Sequence, residues 1–282
     1  MKRIIKLTTI LFIGFLVFLT GQTAAEHLQI RREIKSFTNK GVLQTDISTD
    51  KIKYYKVSRE TYYPNELIRP SFYNDQLDQP GSQGDIFLTQ QAPYPTLPGL
   101  YEFVSFYFGG HAAYIGEDNI IYDIAGYPSA DESWFKVFFK GGKYTTVSAG
   151  NNYWLNSEFW KPTEGNYRHF GSYYRKEYFG VRVKGATVDD INKVTNFMKH
   201  LADIEAQYNF QYIINRKNRY YCTDMMERGY ASIKTDAGKP KYNLNNDGVA
   251  VTVNDIILSK DTYLSFYVKT DKNDVKHIYY IG

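Results

Sequence analysis

His111-Ala112-Ala113-Tyr114-Ile115-Gly116-Glu117-Asp118-Asn119-Ile120-Ile121-Tyr122-Asp123 is the stretch on which the reading of this chain turns. Two short apolar runs flank a Gly-Glu-Asp turn, the pattern of a β-hairpin. With Gly116, Glu117 and Asp118 as a three-residue loop, Ile115 faces Asn119, Ala113 faces Ile121 and His111 faces Asp123. Directly opposed residues share a face with Cβ atoms about 4.5–5.5 Å apart. Asp123 then holds one imidazole nitrogen of His111 and leaves the other free. A two- or four-residue loop moves the pairing by one and sends Asp123 to the other face.

A histidine oriented by a carboxylate needs a nucleophile, and the chain of 282 residues has a single cysteine, Cys222. It stands in Tyr221-Cys222-Thr223-Asp224-Met225-Met226-Glu227, which reads as the first turn of a helix ending around Gly229 to Ser232. A thiol at a helix start lies at the positive end of the dipole, which favours a thiolate. The same free N–H groups can hold an oxyanion. Asp224 and Glu227 oppose that charge, and helix-end effects are only about 0.3–1 kcal/mol each. An imidazolium from His111 is therefore required. The alternative is an inert, buried cysteine. His27, His169, His200 and His277 are poorer partners by position. No His or Cys spacing suits a metal, and no phosphate-binding glycine loop follows a strand, so neither metal nor cofactor is expected.

The chain opens with Lys2, Arg3 and Lys6, then runs apolar from Leu7 to Thr20 and reaches Gly21-Gln22-Thr23-Ala24-Ala25. That is the order of an export signal, with cleavage expected after Ala25. A spanning helix wants about 20 apolar residues, so no membrane span is expected after cleavage. Without those three bases, 31 of the 34 Lys and Arg remain against 30 Asp and Glu. A near-neutral chain disfavours nucleic acid as a partner.

The expected domains are a signal peptide at 1–25, an irregular segment at 26–80 that begins with a charged helix from Glu26 to Lys40, and a core at 81–282. That core carries an aromatic-rich insertion at about 126–184. Asp85 to Thr89 reads as a strand, and Tyr101 to Phe108 as a strand or a short buried helix. Thr187 and Asp190 approximate a capping box before Ile191, Val194, Phe197, Met198 and Leu201 at helical spacing. Val249 to Leu258, Thr262 to Thr270 and His277 to Ile281 alternate like strands. Strands followed by helices and further strands give an α+β class.

Gly84-Asp85-Ile86-Phe87-Leu88, His111-Ala112-Ala113-Tyr114-Ile115-Gly116 and Tyr221-Cys222-Thr223-Asp224 together resemble the YiiX/YebB-like branch of the NlpC-type papain-like cysteine hydrolases. That branch is circularly permuted, with histidine before cysteine. Tyr208-Asn209-Phe210 and Val251 to Ile256 are similar to further family segments, although Asn209 and Val253 depart from the usual Asp and Pro. The resemblance implies an antiparallel sheet packed on a helix headed by the cysteine. It implies Cys222 as nucleophile, His111 as base and Asp123 as third polar residue. With Tyr221 as a weaker candidate beside the oxyanion site, the expected activity is amide hydrolysis through a thioester. An exported enzyme meets the cell wall, so a peptidoglycan peptide is the leading substrate class. The rivals are a permuted lipid amidase or acyltransferase, which an apolar channel from Phe135 to Phe170 would favour, and a non-catalytic secreted surface-binding module.

Overall fold

A computed structural model describes residues 2–92, 99–126, 132–142, 145–155, 176–212, 216–248 and 250–282. In chain order it contains α1 (Lys2–Asn39), β1 (Gly41–Leu43), β2 (Ile52–Val57), β3 (Ile86–Thr89), α2 (Leu100–Tyr107), β4 (His111–Ile115), β5 (Ile120–Ile124), α3 (Trp134–Lys140) and β6 (Val147–Asn151). There follow β7 (Glu177–Val183), α4 (Val188–Asp203), β8 (Gln207–Tyr208), β9 (Arg219–Tyr220), α5 (Cys222–Ala231), α6 (Val253–Leu258), β10 (Thr262–Thr270) and β11 (Lys276–Ile281). The class is α+β. Nine strands form one mixed sheet in the order β1-β2-β11-β10-β7-β3-β4-β5-β6, antiparallel throughout except where β2 runs parallel to β11.

Strand alternation splits the interior into two cores. Ile86, Leu88, Ala112, Tyr114, Ile124, Phe179 and Val181 point to one face, where they meet Ile191, Met198, Met225, Tyr230 and Ile256 of α4, α5 and α6. Phe87, Ala113, Ile115, Ile121, Tyr178 and Phe266 point to the other and pack with Phe72 and Trp154. The first face carries the helices. The second is an aromatic cluster closed by irregular chain.

The helix expected after Thr187 forms, with both halves of its capping box: Thr187 Oγ1 accepts from the Asp190 N–H, and Asp190 from the Thr187 N–H. Of the stretch from Val249 to Leu258, Val249 lies outside the described residues and Ala250 to Leu258 is not a strand. Thr252 and Asp255 make a second reciprocal cap, with Asp255 Oδ2 accepting the Thr252 N–H at 2.8 Å, and α6 follows. A six-residue helix presents too few turns for its period to show, so the alternation of Val251, Val253 and Asp255 misleads. Tyr101 to Phe108 resolves as helix, in α2.

Two expected boundaries also change. The helix expected from Glu26 to Lys40 forms as the later part of α1, which ends at Asn39 with Ile30 buried in the helix-side core, but the segment after it is not irregular throughout, because β2 joins the main sheet. The insertion ends before Glu177, because β7 lies between β10 and β3 inside the sheet. His169 and the part of the proposed Phe135-to-Phe170 channel from 156 onward, with 143 and 144, lie outside the described residues.

A buried ion pair locks the first strand of the motif to β7. Arg182 Nε donates to Asp85 Oδ1 at 2.9 Å and its Nη2 to Oδ2 at 3.1 Å, in the fork geometry that suits a carboxylate. The remaining guanidinium protons reach the carbonyls of Arg69 at 2.6 Å and Pro70 at 2.5 Å. Arg69 Nη1 adds a contact to Asp85 at 3.2 Å. One carboxylate thus organises two cations and the chain entering β3. Asp85→Asn strands both guanidinium groups in the interior and is expected to cost about 3–5 kcal/mol in urea unfolding. Thr252→Ala removes one cap and is expected to cost about 1 kcal/mol in the same measurement.

Candidate functional site

The hairpin forms with a register two residues away from the expected one. Ile115 pairs with Ile121, Tyr114 with Tyr122 and Ala113 with Asp123. The loop is longer because Asp118 and Asn119 both take left-handed backbone, at φ 52° and 56°. Asn119 tolerates that conformation and is anchored there, its Oδ1 accepting from Asn152 Nδ2 at 3.0 Å. A shift of two preserves the face. Asp123 therefore still reaches His111, diagonally instead of directly, with Asp123 Oδ2 2.9 Å from His111 Nε2.

Other groups complete this cluster. Ser148 Oγ donates to Asp123 Oδ1 at 2.8 Å and the Tyr153 hydroxyl donates to Oδ2 at 2.5 Å. The Trp154 ring lies parallel to the imidazole, with centroids 6.4 Å apart and an interplanar angle of 13°. No local pattern in the sequence singles out Ser148, Tyr153 or Trp154. They become visible only once β6 is known to pair with β5, which sets Ser148 opposite Asp123.

Cys222 occupies the expected place in its own element. It is the first residue of α5, free and half-buried, after Tyr221 with extended backbone. The surroundings differ from expectation. Tyr221 is buried, and its hydroxyl accepts the Val251 N–H at 2.8 Å, which ties it to the segment before α6 and not to an open substrate site. Thr223 Oγ1 donates to the Val251 carbonyl at 2.6 Å. The ring of Tyr212 is 5.1 Å from that of Tyr221, and the hydroxyls of Tyr208 and Tyr212 are 3.4 Å apart. Burial raises all three of these phenols above their ordinary pKa, and the charge of a Cys222 thiolate would raise each further.

The two expected partners are carried on opposite sides of β4. His111 shares its face with Ala113 and Ile115 in the aromatic core, whereas α5 packs across β4 on the opposite face, against Ala112 and Tyr114. The β4 side chains on the side that carries α5 are Ala112 and Tyr114. The physical cause is the two-residue period of the strand: the imidazole is one position out of phase with the helix-bearing face. His111 and Asp123 are brought together; Cys222 is across the sheet from them.

The other described histidines include two with partners of their own. His277 Nδ1 is 3.2 Å from the Tyr55 hydroxyl and its Nε2 3.3 Å from Asp271. His27 Nε2 donates to the Phe106 carbonyl at 3.0 Å. Among the described residues no group of three His, Cys, Asp or Glu side chains is placed to hold a metal. Asn209 is buried and structural, its N–H donating to the Tyr220 carbonyl at 2.8 Å.

The carboxyls expected to oppose a thiolate are themselves altered. Burial pushes Asp224 up to about 6 and Glu227 up to about 7, and Asp255 on α6 to about 6. The folded chain then holds more protons than the unfolded one between the ordinary carboxyl range and neutrality. This stabilisation is complete below about pH 4 and is lost as pH rises through 6 to 7. Asp190 acts in the opposite sense: against its burial, hydrogen bonds from Lys241, Thr187 and Tyr242 lower it, so its contribution is lost only in stronger acid. The urea midpoint is expected to fall as pH rises from about 5 to about 8. Glu227→Gln keeps an acceptor for the Leu244 N–H, at 2.5 Å from the native carboxylate, and should flatten that profile by raising stability at the alkaline end.

No protein-family model, no curated protein and no solved structure matches this chain, so its function is argued from its own residues.

Proposed function

We propose that the chain is an exported, non-catalytic binding module, built on a scaffold related to the permuted papain-like hydrolases and released by cleavage after Ala25. The observation that carries this reading is the division of the expected machinery between two faces of one sheet. A thiol nucleophile needs a base within hydrogen-bond reach. The neighbours that bear on Cys222 are buried phenols whose raised pKa makes them poor bases near neutrality. The His111–Asp123 pair, with its orienting carboxylate, lies on the face of β4 away from α5. Export is supported by the apolar segment of α1: Leu7 to Phe18 present their large side chains outward, whereas Ile30, past the cut, is buried in the core.

A binding role has surface to work with. Phe135 and Phe139 on α3 lie ring to ring at 4.9 Å, and both are exposed. Exposed aromatic side chains on an exported chain suit a polymer of the cell envelope, where rings stack on apolar faces. The partner expected from the location remains the peptide or glycan of the wall.

A thiol amidase is the second reading, favoured by the position of Cys222 at the head of a ten-residue helix with its side chain only half-buried. In that case the base is a group other than His111, and acyl transfer from a lipid is as open to it as hydrolysis. Iodoacetamide separates the two readings. A binding module should show alkylation that rises with pH towards the ordinary thiol value of about 8.5. Alkylation at pH 6 much faster than that of glutathione, together with new amine ends from purified wall that Cys222→Ala abolishes, would replace the binding reading with the enzymatic one. The mature protein should begin at Glu26 by intact mass.

A further inference from the structure

On the helix-bearing face, α1 and α2 lean over the ends of β3 and β7 and border an open cavity of about 610 Å³. This volume lies in the range of small-ligand sites, about 300–1,000 Å³. Its walls are built and not accidental. The His27 ring stacks on Phe106 at 5.2 Å and donates from Nε2 to the Phe106 carbonyl. Its Nδ1 faces the amide of Gln90 at 3.2 Å, and that amide donates to Asn254 Oδ1 at 2.8 Å. These bonds tie α1 to α2 and, through Gln90 just after β3, to α6.

The polar groups of the lining are divided by charge. Gln91 Oε1 is buried and, among the described residues, has no hydrogen-bond partner. A buried acceptor left without a donor costs about 1–3 kcal/mol, so a donor brought by a ligand recovers that loss. Glu102 and Glu177 add two carboxylates, each with one oxygen already held, by the Gly99 N–H at 2.6 Å and by the Tyr267 hydroxyl at 2.7 Å. Arg31 supplies a guanidinium, and Phe106 and Phe179 supply apolar surface.

We propose that this cavity binds a short peptide with free ends: its ammonium group is taken by Gln91, Glu102 and Glu177, its carboxylate by Arg31, and a side chain lies against Phe106 and Phe179. The proposal rests on the reading of the chain as an exported binding module and gives that module a ligand class. Of the lining residues only Ala24 precedes the cut after Ala25, so every polar group of the cavity remains in the mature protein.

Calorimetry on the exported protein with L-alanyl-L-phenylalanine tests it. Binding is expected, weakened about tenfold or more by N-acetylation of the dipeptide and again by amidation of its carboxyl end, as loss of a charged hydrogen bond requires. Gln91→Leu and Arg31→Gln should each lower affinity for the free dipeptide, with Arg31→Gln leaving the affinity for the amidated form unchanged. No heat at millimolar dipeptide, or equal affinity for free and doubly capped forms, overturns the site; because both forms are compared on the unaltered protein, that result does not depend on a variant folding. Binding accompanied by hydrolysis of the dipeptide keeps the cavity and removes the non-catalytic reading.

Discussion

The two-residue period of β4 decides which side of the sheet His111 meets. The strand is buried on both faces and central enough that neither its register nor its orientation can vary without exposing one of two cores. Ala112 and Tyr114 are required beneath α5; Ala113 and Ile115 are required against Phe87 and Ile121. His111 inherits its direction from that packing. A single imidazole is worth far less than the buried apolar side chains on either face, so the core decides where the ring points.

The consequence at Cys222 is electrostatic. A helix start gives its thiol a modest favourable field, and the carboxyls of Asp224 and Glu227 resist that field less than their formal charges imply, because burial keeps them partly protonated near neutrality. These effects concern charge alone. The phenols of Tyr208, Tyr212 and Tyr221 make a polar but unreactive surround, and Tyr221 serves chiefly to hold the segment that leads into α6.

The sequence is most readable where one local rule suffices. The capping box at Thr187, the helix beginning at Cys222 and the strands of β10 and β11 follow from spacing within a dozen residues. The hairpin is readable in kind, and the contact between His111 and Asp123 survives a wrong register because the error is even. Face assignment is not readable. Whether His111 or Ala112 meets the helix depends on α5, more than a hundred residues later in the chain. The same holds for Arg182, which reads as one more base among aromatics until Asp85 is seen beside it. The six residues of α6 fall between two templates, and only the cap at Thr252 distinguishes them.

The parallel pairing of β2 with β11 bears on how the protein is made. Ile52 meets Lys276 and Val57 meets Ile281, so β2, already paired with β1, waits roughly 220 residues for its second partner. Ser71 and Gly282 fasten the same seam, through the carbonyls of Ile281 and Val57. Closure across so long a separation is slow, since the entropy of a large loop must be lost before its contacts form. A chain made start-first therefore cannot zip this edge of its sheet until β11 has been made, and β2 lacks that neighbour until then.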